Sequence, residues 1–256
     1  MAGLRLDEKS RFTTALAKSW PDFVDCAKRL SLEGPFLKKV LKSYRSGLLL
    51  DAALGMGCES MFLIENGFTV ISNEINNDLV EIAISSSLKR GVKLNLRQFD
   101  WRTISRRLPI RSIDAILVLG NSLCLVRKSE QIRTCLEQFY ELLKPGGCLI
   151  VDERNFPYIM SAQHEILAGR FRFSGKYMYC GSDVIGRPIK ISQKLVTFGY
   201  FKNSGDLIGT LEMYAFSDGE LQRLLEVSGF RKIKKYYDFK IRPNRDADFF
   251  TYTAVK

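Results

Sequence analysis

The sequence is short of the residues that most reaction chemistry relies on. It has one histidine, His164, in 256 residues. Two-histidine metal sites are therefore excluded, and a histidine-activated nucleophile would have only this residue available. His164 itself reads as a surface or loop imidazole. No two cysteines form a C-x-x-C pair; the six, at 26, 58, 124, 135, 148 and 180, lie in several cases inside apolar runs such as LGNSLCLV and GGCLIVD. They read as reduced core residues, neither disulfides nor zinc ligands, so no metal is expected. No stretch approaches the roughly 18 apolar residues of a membrane span, and the opening MAGLRLDEKSRF lacks a signal peptide's apolar run. A cytoplasmic protein without a membrane partner is expected. Repeats, biased tracts and long Gly/Ser/Pro linkers are also missing, which excludes solenoid architectures.

What remains is the composition of an ordinary globule, 46% hydrophobic and 26% charged. The length suits one large α/β domain, or one carrying an insertion. A formal net charge of +11 raises the question of nucleic acid or another polyanion. The densest stretch, RKIKKYYDFKIRPNR at 231–245, holds seven basic residues against one acid. Alternation along a strand would place those lysines on a solvated face. Charge alone thus leaves a nucleic-acid partner open without favouring it.

Apolar positions at three- and four-residue steps predict helices within 8–45. From Leu48 the pattern changes to short strands at 48–51, 69–74, 94–99, 113–119 and 147–152, with helices near 59–66, 77–90 and 128–143 between most of them. Strands spaced by helices imply right-handed crossovers and a mainly parallel, doubly wound α/β sheet covered on both faces. The third helix should end at KPGG, where Pro145 cannot continue it. Residues 171–215, rich in aromatic and β-branched types with turn signals, suggest an inserted antiparallel cap. Ser217, with Glu220 three residues on, should open a further helix. Closing strands at 231–240 and 248–255 would complete seven strands as an antiparallel hairpin. The expected organisation is a helical lid (1–47), a core (48–156), a cap (157–215) and a C-terminal return to the core (216–256).

In an open parallel sheet ligands bind beyond the carboxyl ends of the strands, so the turn after the first strand, DAALGMGCES, is the place to look. Its spacing of Gly55, Gly57 and Ser60 leaves a dinucleotide G-x-G-x-x-G fingerprint incomplete, and no P-loop G-K-S/T follows. Tight phosphate cradling is not indicated. Three acids sit where a nucleoside with an amino-acid tail needs them. Asp51 ends the first strand, where a carboxylate can favour an ammonium; Glu74 ends the second and can accept from both ribose hydroxyls; Asp100 follows the third and can accept from an adenine amino group, with Trp101 beside it to stack. Singly, each is a generic turn or helix cap. Together, in order within 50 residues, they fit S-adenosylmethionine (SAM).

At these residues the sequence resembles class I SAM-dependent methyltransferases, and within them the glycine and glycine/sarcosine N-methyltransferase family. The likeness rests on SWPDFVDCAKRLSLEG, on LLLDAALGMGCES with Ala53 where many of the class carry glycine, on SNE, FDW, IDAILVLGNSL, LKPGGCLIVDERNF and YDFK. LGNS followed by D-x-RN is more specific than the glycine turn. The resemblance implies a Rossmann-like fold and SAM as cofactor. It implies that the backbone at Leu119 and Gly120, with Asn121, lies beside the transferred methyl and a small amine substrate. It places Arg154 on the substrate carboxylate, as a two-point fork, and Arg29 at the cofactor carboxylate. Tyr179 and Tyr214 would reach the substrate from the cap, where ring faces attract ammonium charge. A homo-oligomer is left open.

Leu125, Glu153 and Cys180 depart from the mammalian-type pattern, which bears on the acceptor and not on the core. The basic charge is unlike the acidic surfaces of halophilic betaine-making enzymes. Methyl transfer from a sulfonium needs orientation more than acid or base help, so one histidine is enough. The expected activity is N-methylation of a small amino acid such as glycine or sarcosine. Alternatives are an N- or O-methyltransferase of a larger metabolite, an RNA methyltransferase, for which LGNSL stands in place of the usual N/D-P-P-Y/F/W, and a SAM-sensing scaffold without catalysis.

Overall fold

The computed structural model describes residues 12–170, 181 and 183–256. Tyr179 and Cys180 lie outside them. Among the described residues a seven-stranded sheet runs β3-β2-β1-β4-β5-β10-β9, beside a three-stranded antiparallel sheet β6-β7-β8. Its centre is β1 (Leu48–Asp51) and β4 (Ile113–Val118), which pair in parallel; β2 (Thr69–Asn73) and β3 (Asn95–Arg97) extend one side. On the other, β5 (Leu143–Arg154) pairs in parallel with β4, and β10 (Phe249–Val255) inserts antiparallel between β5 and β9 (Arg231–Tyr237). The strand order therefore reverses direction between β1 and β4, and the carboxyl ends of both open into one crevice.

The inner strands read as apolar runs because both faces are covered: Leu49, Leu50, Ala115, Ile116 and Leu117 have no solvent exposure. Helices α4 (Cys58–Glu65), α5 (Asn77–Lys89) and α6 (Ser129–Leu142) are the crossovers. Among the described residues the α-helices α1 (Thr14–Lys18), α2 (Trp20–Phe23) and α3 (Cys26–Leu41) precede the sheet, the first capped by Thr13 and the last by Asp25 through side-chain bonds to backbone N–H groups. Helices α7 (Phe156–Ser161) and α8 (Gln163–Leu167) follow β5 and lead towards the cap strands β6 (Val184–Ile191), β7 (Leu195–Lys202) and β8 (Leu207–Tyr214). Helix α9 (Glu220–Val227) returns the chain to the main sheet.

Four expectations are corrected. The α6 helix stops at Leu142 and extended structure resumes at once, because Leu143 already pairs with Ile113 and KPGG forms a bulge inside β5. Residue Gly219, in the left-handed region, precedes α9 in place of Ser217. Only half of the expected capping box forms: the Glu220 carboxylate accepts from Ser217 N–H at 2.8 Å, while the Ser217 hydroxyl is taken by Lys194. Lys235 does not face solvent; its ammonium stands 3.8 Å from the Phe250 ring centre, with Tyr237 and Tyr252 nearby. Cys26 and Cys58 are joined as a disulfide, Cα atoms 5.5 Å apart, because the helices they begin converge beside the glycine turn. Cys124, Cys135 and Cys148 are buried thiols as expected. His164 is on α8 with its side chain 93% exposed. No helix among the described residues is long and apolar enough to cross a membrane.

Candidate active site

A cavity of about 620 Å³ opens at the carboxyl ends of β1, β2 and β4. Its floor is the glycine turn. Gly55 and Gly57 both have positive φ, +53° and +89°, so the turn demands the residue type found there. Asp51 braces the turn from behind: its carboxylate accepts from Ser60 Oγ at 2.7 Å and from Ala53 N–H at 3.3 Å, and Ser60 also bonds Ser72. Burial, aided by nearby Glu59, pushes Asp51 up to about 7. Asp51, Gly57 and Ser60 therefore shape the cavity without lining it, whereas Ala53 and Gly55 do line it. The Asp51 side chain turns inward towards α4, so it supports the turn from behind.

Glu74 lines the wall and is tied to the turn, one carboxylate oxygen accepting from Gly55 N–H at 3.0 Å and the other from Asn76 N–H at 2.9 Å. Each oxygen keeps a second lone pair for a diol. Asn73 fixes the third wall by exchanging two bonds with the Phe99 backbone. Asp100 and Trp101 line this end. Trp101 donates to the Ala52 carbonyl at 2.7 Å, which sets its ring plane. The Asp100 carboxylate is gripped by Arg102, both through its guanidinium and through its backbone N–H. Partial burial would raise its pKa, but the Arg102 bonds outweigh this and hold it below the usual range.

At the opposite end Arg29, from α3, reaches the cavity between two acids: Nε bonds Glu33 at 2.9 Å and the fork meets Glu59 at 2.5 Å. Its nitrogens stand 3.7 to 3.8 Å from where a side chain on Gly120 would begin. Glu33 is wholly buried and is pushed up to about 8 by that burial. Leu119, Gly120 and Asn121 form the ridge between the two ends. Asp152, fully buried on β5, pins this ridge by accepting from Gly120 N–H at 3.0 Å and Asn121 N–H at 2.6 Å. The Asn121 side chain in turn accepts from Arg154 N–H and donates to Met213 Sδ.

The aromatic end of the cavity has Phe12, Trp20, Tyr200, Leu211 and Met213, and Phe12 adjoins the Glu74 wall through its carbonyl's bond with Asn76. Trp20 and Tyr200 rings lie 5.4 Å apart. Arg154 does not line this end: it sits directly behind Asn121 with its guanidinium 4.7 Å and 4.9 Å from the Phe198 and Phe249 ring centres. Tyr214 is also outside the lining; its hydroxyl bonds Glu220 at 2.5 Å, away from the cavity. Sequence reasoning missed Trp20, Glu59, Tyr200 and Met213. Only Trp20 carried a signal, since it stands in the quoted SWPDF segment.

Compared with known proteins, residues 49–147 match the methyltransferase domain family. The chain is 34% identical over 246 residues to the glycine/sarcosine N-methyltransferase of Halorhodospira halochloris, covering 96% of this chain and 88% of that one. The chain belongs to the glycine/sarcosine N-methyltransferase family. The enzyme of the same name from Aphanothece halophytica is 30% identical, covering 97% and 91%. Among solved structures, a SAM-dependent methyltransferase from Clostridium acetobutylicum superposes with a TM-score of 0.67 at 16% identity, covering 91% and 92%, a likeness of fold. This glycine/sarcosine N-methyltransferase family member is thus a SAM-dependent enzyme, and the cavity fits that cofactor. Glu74, Trp101 and Arg29 bring a carboxylate, an indole and a guanidinium to one continuous space.

Glu153, next to Asp152, faces the other side of β5. Tyr252 donates to it at 2.8 Å, and burial pushes it up to about 8. A carboxyl raised in the folded state stabilises the protein fully below its unfolded pKa near 4, and that stability is lost as pH rises through 8. Thermal unfolding should therefore occur at lower temperature at pH 9 than at pH 5. Glu153→Gln keeps an acceptor for Tyr252 and is expected to remove part of this slope, on the order of a few kcal/mol. Unchanged slopes in melting temperature against pH would assign the effect to Glu33 and Asp51 instead.

Proposed function

We propose that the enzyme methylates the amino group of glycine or sarcosine, with the acceptor held between the Leu119–Asn121 ridge and the aromatic end. The observation that supports this most strongly is the ridge itself, whose two N–H groups are committed to Asp152. That commitment removes both as competing donors, while Asn121 and Ser122 line the cavity beside the ridge and the Leu119 carbonyl, which accepts from Ser122 Oγ at 2.7 Å, keeps a second lone pair for an amine hydrogen. Bound SAM supplies an electrophilic methyl group. The chain's own work is to hold a neutral amine in line with it and to keep water away, and orientation of this kind is worth on the order of 7 to 11 kcal/mol at best. Glu74 is proposed to take the ribose hydroxyls, Asp100 and Trp101 the base, and Arg29 the tail carboxylate. Trp20 and Tyr200 offer ring faces to the ammonium that forms as the methyl arrives.

For Arg154 the reading requires its ring-stacked guanidinium to reach past Asn121 to the acceptor carboxylate. Arg154→Lys keeps the charge and loses the fork, so KM for glycine is expected to rise about tenfold with little change in SAM affinity. An unchanged KM would leave Arg154 a purely structural stack. The test of the function is a mass-spectrometric assay of purified protein with SAM and glycine, sarcosine, dimethylglycine and a panel of larger amines. N-methylated glycine or sarcosine is expected. Product from a larger amine alone would overturn the acceptor assignment.

A further inference from the structure

Cys26 and Cys58, 32 positions apart, are the first residues of α3 and α4. Cys58 is buried and lines the cofactor cavity directly after Gly57. Cys26 is only partly buried and lines a second groove of about 580 Å³, together with Asp22, Asp25, Ser86 and Arg90. Val24 and Met56 line both spaces, so the disulfide stands in the wall between them. One sulfur is reached from the groove and the other faces the cofactor space.

The bond ties two bodies together. On one side is the N-terminal segment that brings Phe12, Trp20, Val24 and Arg29 to the cavity; on the other is the glycine turn, anchored in the sheet. The disulfide is the covalent tie across this boundary; noncovalent ones include Thr14 to Asp78, Asn76 to the Phe12 carbonyl, Arg29 to Glu59, and the packing of α3 on α4 at Gly34 and Phe62. Disulfides in a reducing compartment are rare, and those that occur there are mostly transient or redox-sensing. Each sulfur also sits at a helix N-terminus, where aligned N–H groups favour the thiolate that exchange requires.

We propose that Cys26–Cys58 is a redox clasp that sets SAM affinity by tethering the lid to the glycine turn. Closure uses a low-molecular-weight disulfide as oxidant. The Cys26 thiolate attacks one of its sulfurs from the groove and expels the first thiolate. Cys58 then attacks the Cys26 sulfur and expels the second. Two cysteine thiols are oxidised to one S–S bond, and the small disulfide is reduced to two thiols that take up the two protons. A dithiol reverses both steps. With the clasp open, ordering of the lid is deferred to the binding event, which weakens SAM binding about tenfold.

The test uses the full chain equilibrated with oxidised glutathione or with dithiothreitol. Alkylation and peptide mass spectrometry should find Cys26 and Cys58 blocked together in the first case and free in the second. Calorimetry should give a SAM Kd about tenfold weaker for the reduced protein. Cys26→Ser, which leaves the cavity lining intact, should show the reduced-state affinity under both conditions. SAM binding is the readout, so the outcome does not depend on which amine is methylated. Equal Kd values for oxidised and reduced wild type, both cysteines alkylated after oxidation, or a redox response that persists in Cys26→Ser would each overturn the clasp.

Discussion

Asp152→Ala is expected to lower kcat by a factor of about 10² to 10³ and to destabilise the fold by about 2 to 5 kcal/mol. The carboxylate lies on β5 without solvent exposure and takes the N–H groups of Gly120 and Asn121. Removing it strands two buried donors, each costing about 1 to 3 kcal/mol. The kinetic loss has a separate origin. Asn121, a non-glycine residue, has φ of +61°, a conformation that persists only where its surroundings enforce it. Without Asp152 the ridge relaxes and the amine is no longer held in line. Asp152→Asn keeps one acceptor but points an NH₂ group at the other donor, so a smaller loss in both quantities is expected. Thermal unfolding and single-turnover rates check the two effects, and an Asp152→Ala enzyme with wild-type kcat would show that the ridge does not position the acceptor.

Glu74→Ala should weaken SAM binding by a factor of about 10² to 10³, since bonds to a charged group are worth roughly 1.5 to 3 kcal/mol each. Glu74 acts twice, on the cofactor and on the turn. Its two oxygens hold Gly55 N–H and Asn76 N–H, so the same substitution that removes the diol acceptor also loosens the glycine turn and the start of α5. Glu74→Gln retains one acceptor oxygen and should fall between, about tenfold weaker. Calorimetric titration should show the same loss with SAM and with S-adenosylhomocysteine, because both ligands share the ribose. Equal affinities for wild type and Glu74→Ala would remove Glu74 from the ribose site.

The acids show how far residue order alone reaches. Glu74 and Asp100 line the cavity, because a strand followed by a tight connection leaves its end facing the crevice. Asp51 was placed in the same way and turned inward. Its partner Ser60 lies nine residues on in the same DAALGMGCES segment, so nothing in the spacing distinguishes bracing from binding. The cap was harder. Tyr214 was expected to reach the substrate, while Tyr200, on the neighbouring strand, lines the cavity. Register shifts at Pro188/Lys190 and Tyr200/Phe201 break the period of two, so the face of each residue cannot be counted from the turns. The disulfide was missed for a related reason: Cys26 and Cys58 meet only where two helix starts converge.

The order of strands, glycines and strand-end acids by itself determined the doubly wound sheet and most of the cofactor half of the cavity, since those features follow from local backbone geometry at successive strand ends. The aromatic part of the cavity was decided only by tertiary structure. There Trp20 from α2, the ridge after β4, Tyr200 from β7 and Met213 from β8 meet across one space. Contacts between such distant segments are selected by burial and shape, which residue spacing does not encode.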